Sequence, residues 1–252
     1  MTRAPLIIAN WKANPDALGR AVMLARKIER ALPSSRLVKV VVAPPFPFLS
    51  AVGAVLKKAQ LGAQDAFWED VGPYTGEVSW HQLRHLKVIY VIVGHSERRN
   101  YHAETDEVIA KKMAALLAHG LKPILCIGER EREGSDIPTV VGTQLIGALA
   151  QVKKEWIRNM VIAYEPVWAI STTPDAKPDT PDNAFRASLY IRKILTERFG
   201  RTEAARVRII YGGSVNAENI TSFLKEGNMA GALVGGESLK PEAFAAIIRR
   251  VR

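Results

Sequence analysis

Glu165 stands at the end of the apolar run Met160-Val161-Ile162-Ala163-Tyr164 and is followed at once by Pro166. Proline has no N–H to give a ladder and disfavours helix in the residue before it, so the chain must turn at the carboxylate. A carboxylate on the lip of a buried strand is desolvated on one side and open on the other. Burial is expected to raise its proton affinity, which suits a general base. A second run, Val88-Ile89-Tyr90-Val91-Ile92-Val93, stops at Gly94 and delivers His95, followed by Ser96-Glu97-Arg98-Arg99; a third ends at Asn10-Trp11-Lys12. Carboxylate, imidazole and ammonium together suit proton abstraction with a cation to stabilise a developing oxyanion. Lys12 next to Glu97 is expected to stay protonated and act as a fixed charge; an imine-forming lysine would need a desolvated or cation-rich pocket. No His/Cys/Asp cluster has metal spacing, so metal-assisted chemistry is not expected, and no serine-nucleophile motif is visible.

These groups need a frame that brings strand ends together. Nearly continuous apolar runs predict strands at Leu6–Ala9, Leu37–Ala43, Leu61–Gln64, Val88–Val93, Pro123–Ile127, Met160–Tyr164, Val207–Tyr211 and Ala230–Val234. Continuous rather than alternating hydrophobicity is the signature of a parallel sheet covered on both faces. Helical stripes lie between them: Ile109, Met113, Leu116 and Leu117, opened by Thr105-Asp106-Glu107 and closed by Gly120, and Phe244, Ile247, Ile248 and Val251, entered at Pro241. Weaker stripes occupy 16–32, 46–58, 139–154, 182–199 and 216–226. Eight strand–helix units without a break in composition predict an α/β fold, one (β/α)8 barrel domain spanning 1–252. An open doubly wound sheet is the alternative, but the first turn, Asn10-Trp11-Lys12, has no Gly-x-Gly-x-x-Gly. In a barrel the C-terminal strand ends share one mouth. That mouth gathers Asn10, Lys12, His95, Glu97, Cys126 and Glu165 with two glycine turns, Tyr211-Gly212-Gly213-Ser214 and Gly235-Gly236. Backbone amides at such turns bind phosphate.

The formal charge of +10 could indicate nucleic acid, a membrane surface or anionic metabolites. The basic pairs Lys57-Lys58, Arg98-Arg99, Lys111-Lys112, Lys153-Lys154 and Arg249-Arg250 are scattered without interleaved aromatics, so they read as solvated helix faces, with no nucleic-acid partner expected. No apolar run spans a bilayer, the start carries no secretory pattern, and the single Cys126 suits a reducing compartment. A cytoplasmic location with no membrane partner is expected. Cys126 reads as a small buried hydrophobe, Arg98 and Arg99 as structural ion-pair partners, Trp11, Trp80 and Trp168 as packing residues, and His81, His85, His102 and His119 as surface residues without partners.

Six segments together resemble the triosephosphate isomerase family: Asn10-Trp11-Lys12, Gly94-His95-Ser96-Glu97-Arg98-Arg99, Cys126-Ile127-Gly128-Glu129, Ala163-Tyr164-Glu165-Pro166-Val167-Trp168-Ala169-Ile170, Tyr211-Gly212-Gly213-Ser214-Val215 and Leu233-Val234-Gly235-Gly236. They occur in the family's order and cover essentially the whole chain. The resemblance implies cofactor-free interconversion of dihydroxyacetone phosphate and glyceraldehyde 3-phosphate. Glu165 would be the base and neutral His95 the electrophile; this pair is a standard illustration of tuned acid–base chemistry. Lys12 and Asn10 would stabilise the developing oxyanion, with Glu97 orienting Lys12. Phosphate would rest on amides of Ser171, Ser214, Gly235 and Gly236. Pro166–Ala176 would form a mobile lid with Tyr211 and Ser214 as closed-state latches and Glu129 anchoring Trp168. The tip Thr75-Gly76-Glu77 of the Asp65–Ser79 loop would enter a second subunit, implying a homodimer.

Two segments depart from the family pattern. Where Ile-Gly-Thr-Gly is usual, this chain reads Ile170-Ser171-Thr172-Thr173-Pro174, and the following Asp175–Thr180 stretch is a few residues longer. Losing both glycines restricts positive φ, and the prolines stiffen the backbone, so the lid is expected to close by a different path. The stretch Ala66–Pro73 is unusually apolar for a loop, which fits an interface. Two further readings stand beside the isomerase: a phosphosugar aldolase using Lys12 as an imine-forming nucleophile, and a lapsed barrel kept for anion binding or protein association. The Asn10, Lys12, His95 and Glu165 set argues against the last.

Overall fold

The apolar runs pair in sequence order, each parallel to the next, in a computed structural model that describes residues 3–33, 37–132, 134, 136–171 and 173–251. Strands β1 (Leu6–Asn10), β2 (Lys39–Ala43), β3 (Gln60–Ala63), β4 (Tyr90–Val93), β5 (Lys122–Ile127), β6 (Val161–Tyr164), β7 (Arg208–Tyr211) and β8 (Gly231–Val234) close into a barrel, with β8 returning to β1. Met1 and Thr2 of the predicted start, and Thr172 of the predicted lid, lie outside the described residues. β4 begins two residues later than expected because the Val88 N–H still bonds the Leu83 carbonyl at 3.0 Å, closing the preceding helix.

Alternation along the strands divides the core in two. Leu6, Ile8, Val41, Ile92, Ile124 and Ile210 fill the barrel, whereas Ile7, Val40, Val42 and Leu125 face the surrounding helices. Each fully buried branched side chain contributes roughly 1.5–3 kcal/mol over exposure. The β8–β1 seam needs glycine: Gly231 has φ +152, and a Cβ there would strike the Leu6 carbonyl.

The outer layer comprises α1 (Leu18–Ala31), α2 (Leu49–Val55), α3 (Trp80–His85), α4 (Ser96–Tyr101), α5 (Asp106–Ala118), α6 (Thr139–Ala148), α7 (Pro181–Phe199), α8 (Arg201–Arg206), α9 (Ile220–Lys225) and α10 (Pro241–Arg250). Polar caps set where they start. Thr105 accepts the Val108 N–H ahead of α5, and Thr180 accepts the Asn183 N–H at 3.2 Å with Pro181 in the first turn of α7. The predicted 139–154 helix ends at Ala148 and is followed by a 3-10 segment, Lys154–Asn159. Among the described residues no helix is long and apolar enough to cross a membrane.

Not all the basic pairs are solvated. Lys112 is buried and contacts both Asp65, at 2.7 Å, and Glu104, while Arg98 reaches Asp65 at 2.9 Å and Glu104 at 3.3 Å. Arg99 pairs with Asp106 at 2.6 Å. Arg98, Arg99 and Lys112 therefore belong to ion-pair networks in and near the core, and at the buried Lys112 losing a partner costs about 3–5 kcal/mol. The network ties the base of the Asp65–Ser79 loop to α5 and to the segment after α4. Above it, Phe67 packs on Trp68 and Tyr74 with ring centroids 4.2 and 4.8 Å apart, and residues 71–77 are exposed. The surface histidines are exposed, as expected, but two have partners: His81 lies 3.2 Å from Asp70, and His119 stacks on Trp80 at 3.5 Å.

Candidate active site

The C-terminal ends of the strands deliver their polar residues into one cavity of about 650 Å³. Asn10, Lys12, His95, Glu165, Ser171, Ser214, Gly235 and Gly236 all line it, whereas Glu97 stands behind them in contact with Lys12 and His95. Lys240 and Glu237, 2.7 Å apart, also line the cavity and went unnoticed in the sequence. The only signal available was their position directly after the Gly235-Gly236 turn.

Each side chain is aimed by its local backbone. Gly94, at φ +70, turns the chain sharply after β4 and places His95 as the N-cap of α4. The His95 Nδ1 accepts the Glu97 N–H at 3.3 Å. Glu165 follows β6 with its own N–H bonded to the Ile127 carbonyl at 2.8 Å. Its side chain needs the glycine of the next strand end, since a Cβ on Gly212 would sit 2.7 Å from Glu165 Cγ. Lys12 adopts φ +52, an uncommon conformation for a non-glycine residue that costs about 1–2 kcal/mol. Asn10 supports it by accepting the Lys12 N–H at 3.0 Å. The Lys12 ammonium meets Glu97 at 2.6 Å, as the sequence suggested.

Glu165 and His95 are in direct contact, with Oε1 3.1 Å from Nε2, and the other Glu165 oxygen accepts the Ser96 N–H at 3.2 Å. The expected upward shift of Glu165 is reversed in this arrangement. Burial pushes the carboxylate up, but the His95 ring, the Ser96 N–H and the Lys12 charge outweigh it and hold the group below its ordinary value. Burial opposes charge on His95, while the adjacent Glu165 carboxylate draws protons toward the ring and shifts it upward. The Nδ1 atom is already an acceptor for a backbone amide, so in its neutral form the ring carries its proton on Nε2 and donates it to Glu165. Cys126 is fully buried beside this pair, and burial pushes its thiol well up, in keeping with a packing role.

Two glycine turns face the carboxylate. Gly213 lies so close to the Tyr211 hydroxyl that a Cβ would overlap it, and Lys12 Cε passes 3.5 Å from where a Cβ of Gly235 would stand. The ammonium therefore sits beside the Gly235-Gly236 turn. Ser214 is occupied: its N–H, at 3.2 Å, and its hydroxyl, at 2.7 Å, both donate to the Ala169 carbonyl in the segment after Glu165. Glu129 accepts from Trp168 Nε1 at 3.0 Å and from the Tyr164 hydroxyl at 2.7 Å. The Tyr211 hydroxyl donates to Asp179 at 3.1 Å. In the segment after Ile170, the described residue with positive φ is Asp175 (φ +55), not Ser171 or Thr173. Thr173 instead directs its hydroxyl to the Val167 carbonyl at 2.8 Å. The left-handed turn has thus moved two residues downstream of the expected glycine position. Trp11 is fully buried in the core, with its Nε1 lacking a hydrogen-bond partner. Among the described residues, no group of three or more His, Cys, Asp or Glu is placed to hold a metal.

Comparison with known proteins agrees with this arrangement. A family model described as Triosephosphate isomerase matches residues 5–251. A protein of that name from Caldanaerobacter subterraneus subsp. tengcongensis is 45% identical over 98% of this chain and 99% of its own length. Homologues of the same name from Saccharopolyspora erythraea and Dictyoglomus thermophilum are 44% and 42% identical, covering 97% and 98% of this chain and 95% and 99% of theirs.

Proposed function

The chain belongs to the triosephosphate isomerase family, and from that premise we propose which of its residues interconvert dihydroxyacetone phosphate and D-glyceraldehyde 3-phosphate. It is an intramolecular aldose–ketose isomerase, so no atom is gained or lost: one carbon-bound proton leaves, an enediolate forms, and a proton returns at the neighbouring carbon. Glu165 is the base. To reach substrate it leaves His95 and the Ser96 N–H, which frees the His95 Nε2–H to face the substrate oxygen. Once the carboxylate has moved away, burial and the Glu97 amide on Nδ1 both favour the neutral ring. Lys12, with Asn10 and Glu97 holding it in place, stabilises the charge that develops on oxygen. The amides at Ser171, Ser214, Gly235 and Gly236 hold the phosphate, next to the Lys12 charge. The observation that carries this reading is the contact of Glu165 Oε1 with His95 Nε2 inside the same cavity as Lys12 and both glycine turns.

Isomerisation in D2O tests the base. Proton exchange on Glu165 is expected to leave solvent deuterium on the product carbon, visible by NMR. Product formed with the original hydrogen fully retained would point to a hydride shift and remove Glu165 from its role.

A second expected outcome concerns pH. Glu165 in the free protein lies below the ordinary carboxylate value of 4.5. Its hydrogen bonds, and its use as a base, are fully present above that value and are lost only as pH falls through the lowered pKa. With the substrate's own phosphate ionisation divided out, the acid limb of kcat/KM is expected to come first from His95, which, against burial, the Glu165 carboxylate shifts upward from 6.5, and the loss of the Glu165 charge follows only at lower pH. A profile that stays level through the ordinary imidazole value of 6.5 and falls only below 4.5 would contradict the neutral-His95 assignment.

The whole chain acts as one barrel domain in the cytoplasm, and the Asp65–Ser79 loop pairs two copies. Support comes from Val71, 69% exposed on the loop, from the Phe67, Trp68 and Tyr74 cluster beneath it, and from the buried charge network that fixes its base.

A further inference from the structure

The opposite, N-terminal mouth of the barrel collects cations. Lys39, Lys122 and Arg208 are the first residues of β2, β5 and β7. Two residues further along those strands, Val41, Ile124 and Ile210 belong to the barrel interior. Strand alternation therefore turns all three basic residues to the inner side, one layer below the apolar filling. Arg3, just ahead of β1, joins them. Lys122 Nζ stands 5.6 Å from the ring centroid of Tyr90, the first residue of β4. The neighbouring strand start, Gln60, shares the inner side with Gly62, whose Cβ position faces Val41 and Ala43. The Gln60 Oε1 is buried and has no hydrogen-bond partner.

Elsewhere this chain neutralises its clustered cations: Lys112 and Arg98 by Asp65 and Glu104, Arg99 by Asp106, Lys12 by Glu97. At the N-terminal mouth, among the described residues, none of Arg3, Lys39, Lys122 and Arg208 has a carboxylate within 4.0 Å. The guanidinium groups are held by carbonyls, Arg208 to Ala4 and Arg3 to Arg206, each at 2.7 Å, which positions their charge without cancelling it. The groups feel one another. Burial, then Arg208, Lys122 and Arg3, pull Lys39 below its ordinary value, and Arg208 is lowered by burial and by Arg3, with Tyr90 opposing. Like charges brought together from four separate elements at one barrel end oppose folding unless an anion is shared among them.

We propose that the N-terminal mouth of the barrel is a second anion site, remote from the catalytic cleft, whose ligand is a multivalent phosphate-bearing anion of the pyrophosphate type. Several cations spaced around a ring match an anion whose charge is spread over two or more phosphoryl groups better than they match a single carboxylate. A protonated phosphoryl oxygen would also supply the donor that Gln60 Oε1 lacks. Tyr90, buried apart from its contact with this mouth, forms the floor.

The test is calorimetric titration of pyrophosphate into the whole protein at about 0.1 M salt, with the catalytic cleft first saturated by glycerol 3-phosphate. One further pyrophosphate is expected to bind per chain. Lys39→Glu, at an exposed position, is expected to weaken that binding at least about tenfold, to raise the thermal midpoint of the ligand-free protein, and to leave kcat/KM for isomerisation unchanged. Lys122→Gln is the second variant, should the first fold poorly, and is expected to weaken binding in the same direction. A parallel titration with ATP separates the two sources of this chemistry: equal affinity means that the phosphates alone are read, and tighter binding assigns a nucleotide. Absence of saturable pyrophosphate binding in the wild-type protein, or equal affinity in both variants, would overturn the proposal.

Discussion

Glu165→Gln is expected to lower kcat by about 10²–10⁴-fold while KM and the affinity for glycerol 3-phosphate stay near wild type. The substitution keeps the length of the side chain but removes the base and sets an NH2 against the His95 Nε2–H. Glutamine has the same length and fits the space kept open by Gly212, and its carbonyl oxygen can still accept the Ser96 N–H that Glu165 accepts at 3.2 Å. What it lacks is a lone pair basic enough to take a carbon-bound proton. The residual rate would come from His95, Lys12 and the phosphate contacts, which remain in place. A coupled dehydrogenase assay gives the rate and competitive inhibition gives the binding. A wild-type rate would exclude the assigned base, and a loss confined to KM would place Glu165 in binding.

Lys12→Gln is expected to reduce kcat/KM by about 10³-fold or more, in both kcat and KM. Both parameters should move because the ammonium sits between two tasks, beside the Gly235 turn and in the cavity that holds His95 and Glu165. Glutamine removes the charge but leaves a non-glycine side chain at φ +52, so the backbone cost is unchanged and the comparison isolates the cation. Glu97 loses its partner but keeps solvent access, which limits any structural loss. Borohydride trapping of the unaltered protein separates the isomerase from the aldolase reading. An imine-forming lysine would be trapped on substrate by borohydride in the wild-type protein, whereas the ion pair with Glu97 predicts no adduct. Retention of activity within tenfold would remove Lys12 from the chemistry.

The strands were legible because a buried parallel strand is written as an unbroken apolar run. All eight were placed within two residues of the observed ends. The strand ends were legible for the same reason: a charged or polar residue that stops such a run has nowhere to go but the lip. Short elements were harder. α3 and α8 each span six residues, less than two turns, and so present too few apolar positions for a period to register. α3 did carry a readable signal, the Ser79–Gln82 capping box at its start. Nothing local could show that Asp65, Glu104 and Lys112 meet in the core, because those contacts span up to 47 residues. The cations of the N-terminal mouth were hidden likewise: Lys39, Lys122 and Arg208 stand far apart in sequence and become neighbours only when the barrel closes. The direction of the Glu165 shift was misjudged because burial was legible and the two donors, from His95 and Ser96, were not.

The bond from Ser214 to Ala169 has a consequence for how substrate is admitted. Ser214 commits both its N–H and its hydroxyl to a single carbonyl. That carbonyl belongs to the strap that follows the base, so a phosphate reaching the amide would share its hydrogen with Ala169 while the hydroxyl, at 2.7 Å, still tethers the strap. The anion and the strap would then meet at one residue, Ser214, which would couple the position of the strap to occupancy of the turn. A triose without its phosphate has nothing to offer that turn, and would leave the strap where it lies.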